Sequence, residues 1–217
     1  MRSSAAFAVK QRVPSDVAGT RRSVVHTGED VDTRQDVLDT LNYGLYVVTS
    51  HLDGRLNGQI TDALMQVTAV PPKVAVSISK NELTHEYIDA SGVLAVSVLA
   101  ESTPMAFIGL FGFKSGRDVD KLSQASHRLG ENGCPLVLEN TVAVFEGSII
   151  DRKDLGTHTL FIADVTTAEM LTTAKPLTYA HYTQNMKGKV PKNSPTYHAG
   201  GAAAAPRETD ADGSGPP

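Results

Sequence analysis

Residues 74–88 read VAVSISKNELTHEYI, and their pattern changes halfway. VAVSIS alternates apolar with small or polar side chains, the period of a half-buried strand. KNELTHEYI abandons that alternation. A helix is expected to start near Asn81 or Glu82 and to stop at Gly92, a natural terminating glycine. Ser77 and Ser79 share one strand face, Val76 and Ile78 the other. Lys80 and Asn81 follow at the strand end, and Thr84 falls in the first helical turn. Hydroxyls, an ammonium and backbone N–H groups would then converge at a helix N-terminus, which suits an anion. N-capping by Asn81 or Thr84 accounts for the same residues, and both readings stay open at this point.

Outward from this junction the chain reads mainly as β. YGLYVVTS at 43–50 is rich in Tyr and Val, and Asp53-Gly54 signals a hairpin turn after it. A second run starts near Leu56 and continues, with a break, to Val67, before Pro71-Pro72 punctuates. VLAVSVL at 93–99, TVAVFEGSII at 141–150 and HTLFIADVT at 158–166 bring the total to six or seven strands. Short spacings between them favour a closed barrel over a parallel α/β sheet. Helices are few: 33–41, the segment ending at Gly92, one with Thr103 as N-cap and Pro104 in its first turn, and an extra turn at 118–122.

The 217 residues fit one domain with tails. Residues 1–33 read as a flexible arm and 34–198 as the folded domain. The Ala/Gly/Pro-rich 199–217 cannot bury enough apolar surface to order itself. Twenty basic against 24 acidic residues give a charge of −4, with no basic stripe for nucleic acid. The start has no continuous apolar run, so no secretory signal is expected, and no stretch is long enough to span a membrane. A single cysteine, Cys134, fits a reducing, cytoplasmic setting and leaves no Cys-based metal site.

Other sites find little support. No GxGxxG follows a strand, and in GLFGFKSG at 109–116 Phe113 stands where a phosphate loop needs glycine before its Lys. That stretch could still lie over a flat ligand, or be a surface turn between core phenylalanines. The histidines are scattered without HExxH, and no GxSxG elbow accompanies any serine. Cys134 sits in an Asn-Gly-Cys-Pro turn with nothing nearby to activate it.

Three stretches carry a resemblance: NGQITDALMQVT at 57–68 with Pro71-Pro72 after it, the junction around Thr84, and GTHTLFIADV at 156–165. From about Asp36 to Pro195 the chain resembles the flavin reductase-like family, which binds FMN in a split β-barrel. LNYGLYVVTS at 41–50, IGLFGFKSGRDVDK at 108–121 and PKNSPTY at 191–197 are similar to the branch of high-molecular-weight rubredoxin flavoprotein domains and flavoredoxins. The resemblance implies that Ile60, Thr61, Asp62 and Ala63 line the isoalloxazine edge, largely through backbone groups. Asp62 and Ala63 depart from the hydroxyl-rich pattern usual there. Ser77, Ser79, Lys80, Asn81 and Thr84 become the ribityl and phosphate side, with Lys114, Ser115 and Arg117 in the neighbouring loop. His158 takes the place of the histidine near the nicotinamide site and is the implied catalytic residue; Thr157 replaces an acid that commonly precedes it.

The implied function is an FMN oxidoreductase using NADH or NADPH, a homodimer with flavin near the subunit interface. The rubredoxin relatives append a four-cysteine iron domain; here a rubredoxin-like acceptor would be a separate protein. Two alternatives stand beside it: a non-catalytic FMN electron carrier, and a barrel without flavin acting as an interaction domain.

Overall fold

A computed structural model describes residues 40–197 together with Leu38. The expected arm at 1–33, the tail at 199–217, His198 and residues 33–37 and 39 of the expected helix at 33–41 lie outside the described residues. Nine strands and two α-helices follow. They are β1 (Tyr46–Leu52), β2 (Arg55–Thr61), β3 (Leu64–Ala69), β4 (Pro72–Ser79), α1 (Leu83–Ser91), β5 (Val93–Leu99), α2 (Met105–Gly112), β6 (His127–Leu129), β7 (Pro135–Val137), β8 (Thr141–Asp154) and β9 (His158–Met170).

Seven strands form one sheet in the order β2-β1-β5-β8-β9-β4-β3, antiparallel throughout, and β6 pairs only with β7. The two outermost strands of that order, β2 and β3, are consecutive in the chain, linked only by Asp62 and Ala63. On a flat sheet six strand spacings would hold them roughly 29 Å apart, whereas three peptide steps reach at most about 11 Å. The sheet must therefore curl until its ends meet at Asp62–Ala63. Ser77 N–H closes on the Ala63 carbonyl there at 2.9 Å. No ladder joins β2 to β3, so the barrel is split, as the family resemblance implies.

Burial agrees with this curl. Val48 of β1, Val76 and Ile78 of β4, Leu94 and Val96 of β5, Phe161 of β9 and Ile88 of α1 share one buried cluster. A second cluster joins Leu45, Val47 and Leu99 to Phe107, Ile108 and Phe111 of α2.

Local chemistry sets the element ends. Asp53 and Gly54 both take positive φ, 50° and 77°, in the two-residue turn between β1 and β2. Gly92 ends α1 in the left-handed region at φ 72°, its N–H on the Ile88 carbonyl at 2.9 Å. Thr103 does not cap α2 as expected: Pro104 holds the cap position. The Thr103 hydroxyl donates to the Ala100 carbonyl at 2.6 Å, with Asn140 O at 3.2 Å, tying the loop back to β5 and β8. The turn expected at 118–122 lies at Leu122–Gln124, where Asp120 accepts the Ser123 N–H.

Candidate functional site

A cleft opens at the seam where the sheet's ends meet. β2 contributes Gln59, Ile60 and Thr61, with Asp62 at the corner; β4 contributes Ser77 and Ser79, whose side chains share a face as the alternation predicts. α2 and the residues after it add Ile108, Phe111, Gly112, Phe113 and Lys114. Gly112 lies so close to Ile60 that an added Cβ would stand 3.5 Å from its Cγ1. Phe111 is buried, while Phe113 is about half exposed.

The last wall comes from the far end of the domain. Tyr179, Tyr182 and a strap running from Val190 to Pro195 reach the cleft. Three clasps hold that strap. Ser194 Oγ donates to Asp62 Oδ2 at 3.3 Å and the Thr196 hydroxyl donates to the same oxygen. Asn193 Nδ2 donates to Glu82 Oε1 at 3.1 Å. His158 Nε2 meets the Asn193 carbonyl at 3.2 Å; because a carbonyl only accepts, that nitrogen carries a proton, and Nδ1 faces the Thr157 hydroxyl at 2.8 Å. Burial raises the Tyr182 phenol pKa above its ordinary value, and its hydroxyl donates to the Lys189 carbonyl at 2.6 Å.

Two polar atoms stand out. Asp62 is buried, and its Oδ1 has no hydrogen-bond partner among the described residues. The same is true of Gln59 Oε1. A buried polar atom left unpaired costs about 1–3 kcal/mol, more when charged.

Of the residues singled out in the sequence, Ile60, Thr61, Asp62, Ser77, Ser79 and Lys114 come together in the cleft wall. The others do not reach its surface. Lys80 pairs with Asp154 at 2.6 Å and Arg117 with Glu86. Asn81 is exposed, its N–H 3.4 Å from Ser79 Oγ. The carbonyl of Ala63 is taken by Ser77, and Ser115 Oγ accepts the Arg117 N–H at 3.1 Å. Thr84 is 1% exposed, on the buried face of α1's first turn, and accepts from Asn57 Nδ2 at 2.9 Å. Asn57 is pressed from its other side by Gly116, where an added Cβ would come within 2.0 Å of Oδ1. Thr84 and the 114–117 loop are thus coupled through one buried amide. His158 pairs with Ser79 across β9 and β4 and stands behind the strap.

Sequence reasoning missed Gln59, Glu82, Tyr179 and Tyr182, whose side chains follow no motif. Glu82 is the residue at the α1 start, so the expected anion cradle contains a carboxylate. Elsewhere His51, His85 and His127 are each hydrogen-bonded, and burial lowers the His85 pKa. Among the described residues no three His, Cys, Asp or Glu side chains gather as a metal site. Cys134 is fully buried and burial pushes its thiol up to about 12, which makes it inert.

Comparison with known proteins bears on this cleft. Residues 38–187 match the model of the flavin reductase like domain. A high molecular weight rubredoxin of Moorella thermoacetica is 44% identical over 170 residues, covering 78% of this chain and 73% of that protein. A ferric-chelate reductase (NAD(P)H) of Archaeoglobus fulgidus is 42% identical over 157 residues, covering 72% and 93%. Among solved structures, the NADH:FAD oxidoreductase of Streptomyces globisporus superposes with a TM-score of 0.62 at 25% identity, covering 72% of this chain and 92% of that one.

Proposed function

Since the chain belongs to the flavin reductase-like family, we propose that it is an oxidoreductase holding FMN in the seam cleft and passing electrons from NADH or NADPH to flavin or on to an acceptor protein. The observation that carries this reading is the cleft itself. An apolar wall that includes Ile60, Phe111 and Phe113 adjoins a polar edge with unpaired buried acceptors. An isoalloxazine has that division, apolar faces and one polar edge with an N–H donor, so the residues present fit it.

FMN, when bound, supplies hydride acceptance and one- or two-electron transfer. The protein's share is placement and access. Ile60, Gly112 and Phe111 offer a close-packed plane for the ring. Ser77 and Ser79 turn hydroxyls toward the ribityl side, and Lys114 brings positive charge to the mouth. Lys80, Asn81, Ser115 and Arg117, outside the cleft wall itself, would form the phosphate side, with Lys80 and Arg117 exchanging their carboxylate partners for the anion. Thr84 acts through Asn57 as a positioning residue. His158 secures the strap through Asn193 and so governs the approach of nicotinamide.

The test is an absorbance spectrum of the purified protein, its released flavin identified, followed by anaerobic mixing with NADH and NADPH. A yellow protein whose flavin bleaches with either nucleotide is the expected result. Colourless protein that stays so after FMN reconstitution overturns the reading.

One observation favours a second reading, an FMN electron carrier reduced by a protein partner. Pro191, Asn193, Ser194 and Pro195 lie along the cleft, where nicotinamide would stack. Flavin that is held tightly yet left oxidised by both nucleotides would select it. The 44%-identical rubredoxin supports a rubredoxin-like acceptor in either case.

A homodimer belongs to the same proposal. Met65, Val67 and Val70 stand exposed along the outer strand β3 and its turn, at 60%, 41% and 93%, an apolar edge suited to a second copy. Sedimentation at micromolar concentration should give twice the chain mass. No described helix is long and apolar enough to cross a membrane, and the single buried cysteine supports a cytoplasmic setting.

A further inference from the structure

We propose that the side chain of Asp62 is the specificity determinant of the seam cleft, reading the imide N–H of the flavin's pyrimidine edge through Oδ1. The proposal rests on the flavin reading above and deepens it: residues 60–63 were expected to act largely through the backbone, with a bond received by the Asp62 side chain left open.

The two carboxylate oxygens of Asp62 differ in their partners. Oδ2 receives two hydroxyls from the strap, Ser194 at 3.3 Å and Thr196. Oδ1 receives none, although Asp62 is only 5% exposed and lines the cleft. A serine or threonine here could both donate and accept; an ionised carboxylate only accepts. Whatever lies against Oδ1 must therefore present a donor. The clasp on Oδ2 fixes the carboxyl group, so Oδ1 is held ready for a ligand.

The ligand's chemistry then narrows the choice. Around its polar edge an oxidised isoalloxazine offers acceptors at both carbonyls and two ring nitrogens, with the imide N–H as the one donor. Ribityl hydroxyls also donate, but Asp62 lies two residues from Ile60, which lies against Gly112 on the flat wall where a ring would rest. Gln59, from the same strand, has a buried amide oxygen without a partner. A side-chain amide can turn either end inward, so Gln59 complements a carbonyl or an N–H on the same edge. Asp62 cannot turn that way. It commits the cleft to an edge with a donor.

Fluorescence titration of the full chain with FMN and with N3-methyl-FMN, which lacks the imide donor, tests this. The wild-type protein should bind FMN about ten- to a hundredfold more tightly, the worth of a hydrogen bond to a charged group. Asp62→Ala should bind the two flavins within about twofold of each other, having lost both the acceptor and the steric barrier to the methyl group. Asp62→Asn, nearly isosteric, keeps the protein foldable if the alanine variant is not, and should retain only part of the preference because its carbonyl still accepts. Thermal melts of each variant confirm folding. Wild-type protein that binds both flavins alike overturns this proposal while leaving the flavin reading intact. Either variant keeping the full preference overturns it too. Folded wild-type protein that binds neither flavin overturns the flavin reading and this inference with it.

Discussion

Lys121 exposes only 3% of its surface, behind α2, with Nζ 3.4 Å from the Phe111 carbonyl and 6.0 Å from that ring's centre. Burial lowers its pKa from 10.5 to about 8, against the opposing pull of Glu82. Between those values the unfolded chain binds more proton than the folded one, so this group makes stability rise with pH across the window from about 8 to 10.5. Below it the buried charge costs about 3 kcal/mol. Lys121→Met should therefore be more stable than wild type at pH 7, by up to about 3 kcal/mol, with the advantage shrinking through that window. Urea denaturation at several pH values measures the difference. Nothing in DVDKL announces a buried lysine, because the burial comes from packing against α2, whose Phe111 stands 10 positions earlier. The seam carboxylate was equally hidden: its strap partners stand 132 and 134 positions away. Ser77 and Ser79 were legible because strand period alone fixes which side chains share a face.

Element boundaries were legible where backbone chemistry is local. Gly92 ended α1 as its type predicts, and Asp53-Gly54 made the hairpin turn. Gly92→Ala should cost about 1 kcal/mol, since an added Cβ meets nothing within 4 Å and only the left-handed backbone is penalised. A shift in the denaturation midpoint without a change in slope checks this. β6 and β7 were missed because three residues each are too few to show a period, and the run read from Leu56 to Val67 with a break is β2 and most of β3, the break falling at Asp62 and Ala63. The strap has no regular structure, so its PKNSPTY sequence marked a family likeness but not its course over the cleft. Ser194→Ala with Thr196→Val removes both donors to Asp62 Oδ2 and should speed release of bound flavin several-fold, read from fluorescence recovery on dilution. Unchanged release would mean the clasp does not restrain the cleft.

At the scale of the whole molecule, fold class was legible from the count and spacing of strands, but strand order was not. β1 pairs with β5 across three intervening strands and α1, and β4 with β9 across β5 to β8 and both helices. Such pairings are written in no local pattern. They do set a rate: a sheet built on non-local contacts should refold in milliseconds to seconds rather than microseconds. Stopped-flow fluorescence of the tyrosines after urea dilution measures it. Microsecond folding would contradict this topology.

The joining of β4 to β9 also bears on how the chain is born. β4 leaves the ribosome roughly 80 residues ahead of β9, an interval of roughly 4–16 s at ordinary elongation rates. Throughout it, one edge of β4 lacks its partner, while Met65, Val67 and Val70 of the adjoining hairpin gain no cover from later strands. The nascent chain thus carries an unpaired apolar ribbon while roughly 80 further residues are added, and translation speed between β4 and β9 becomes a determinant of yield.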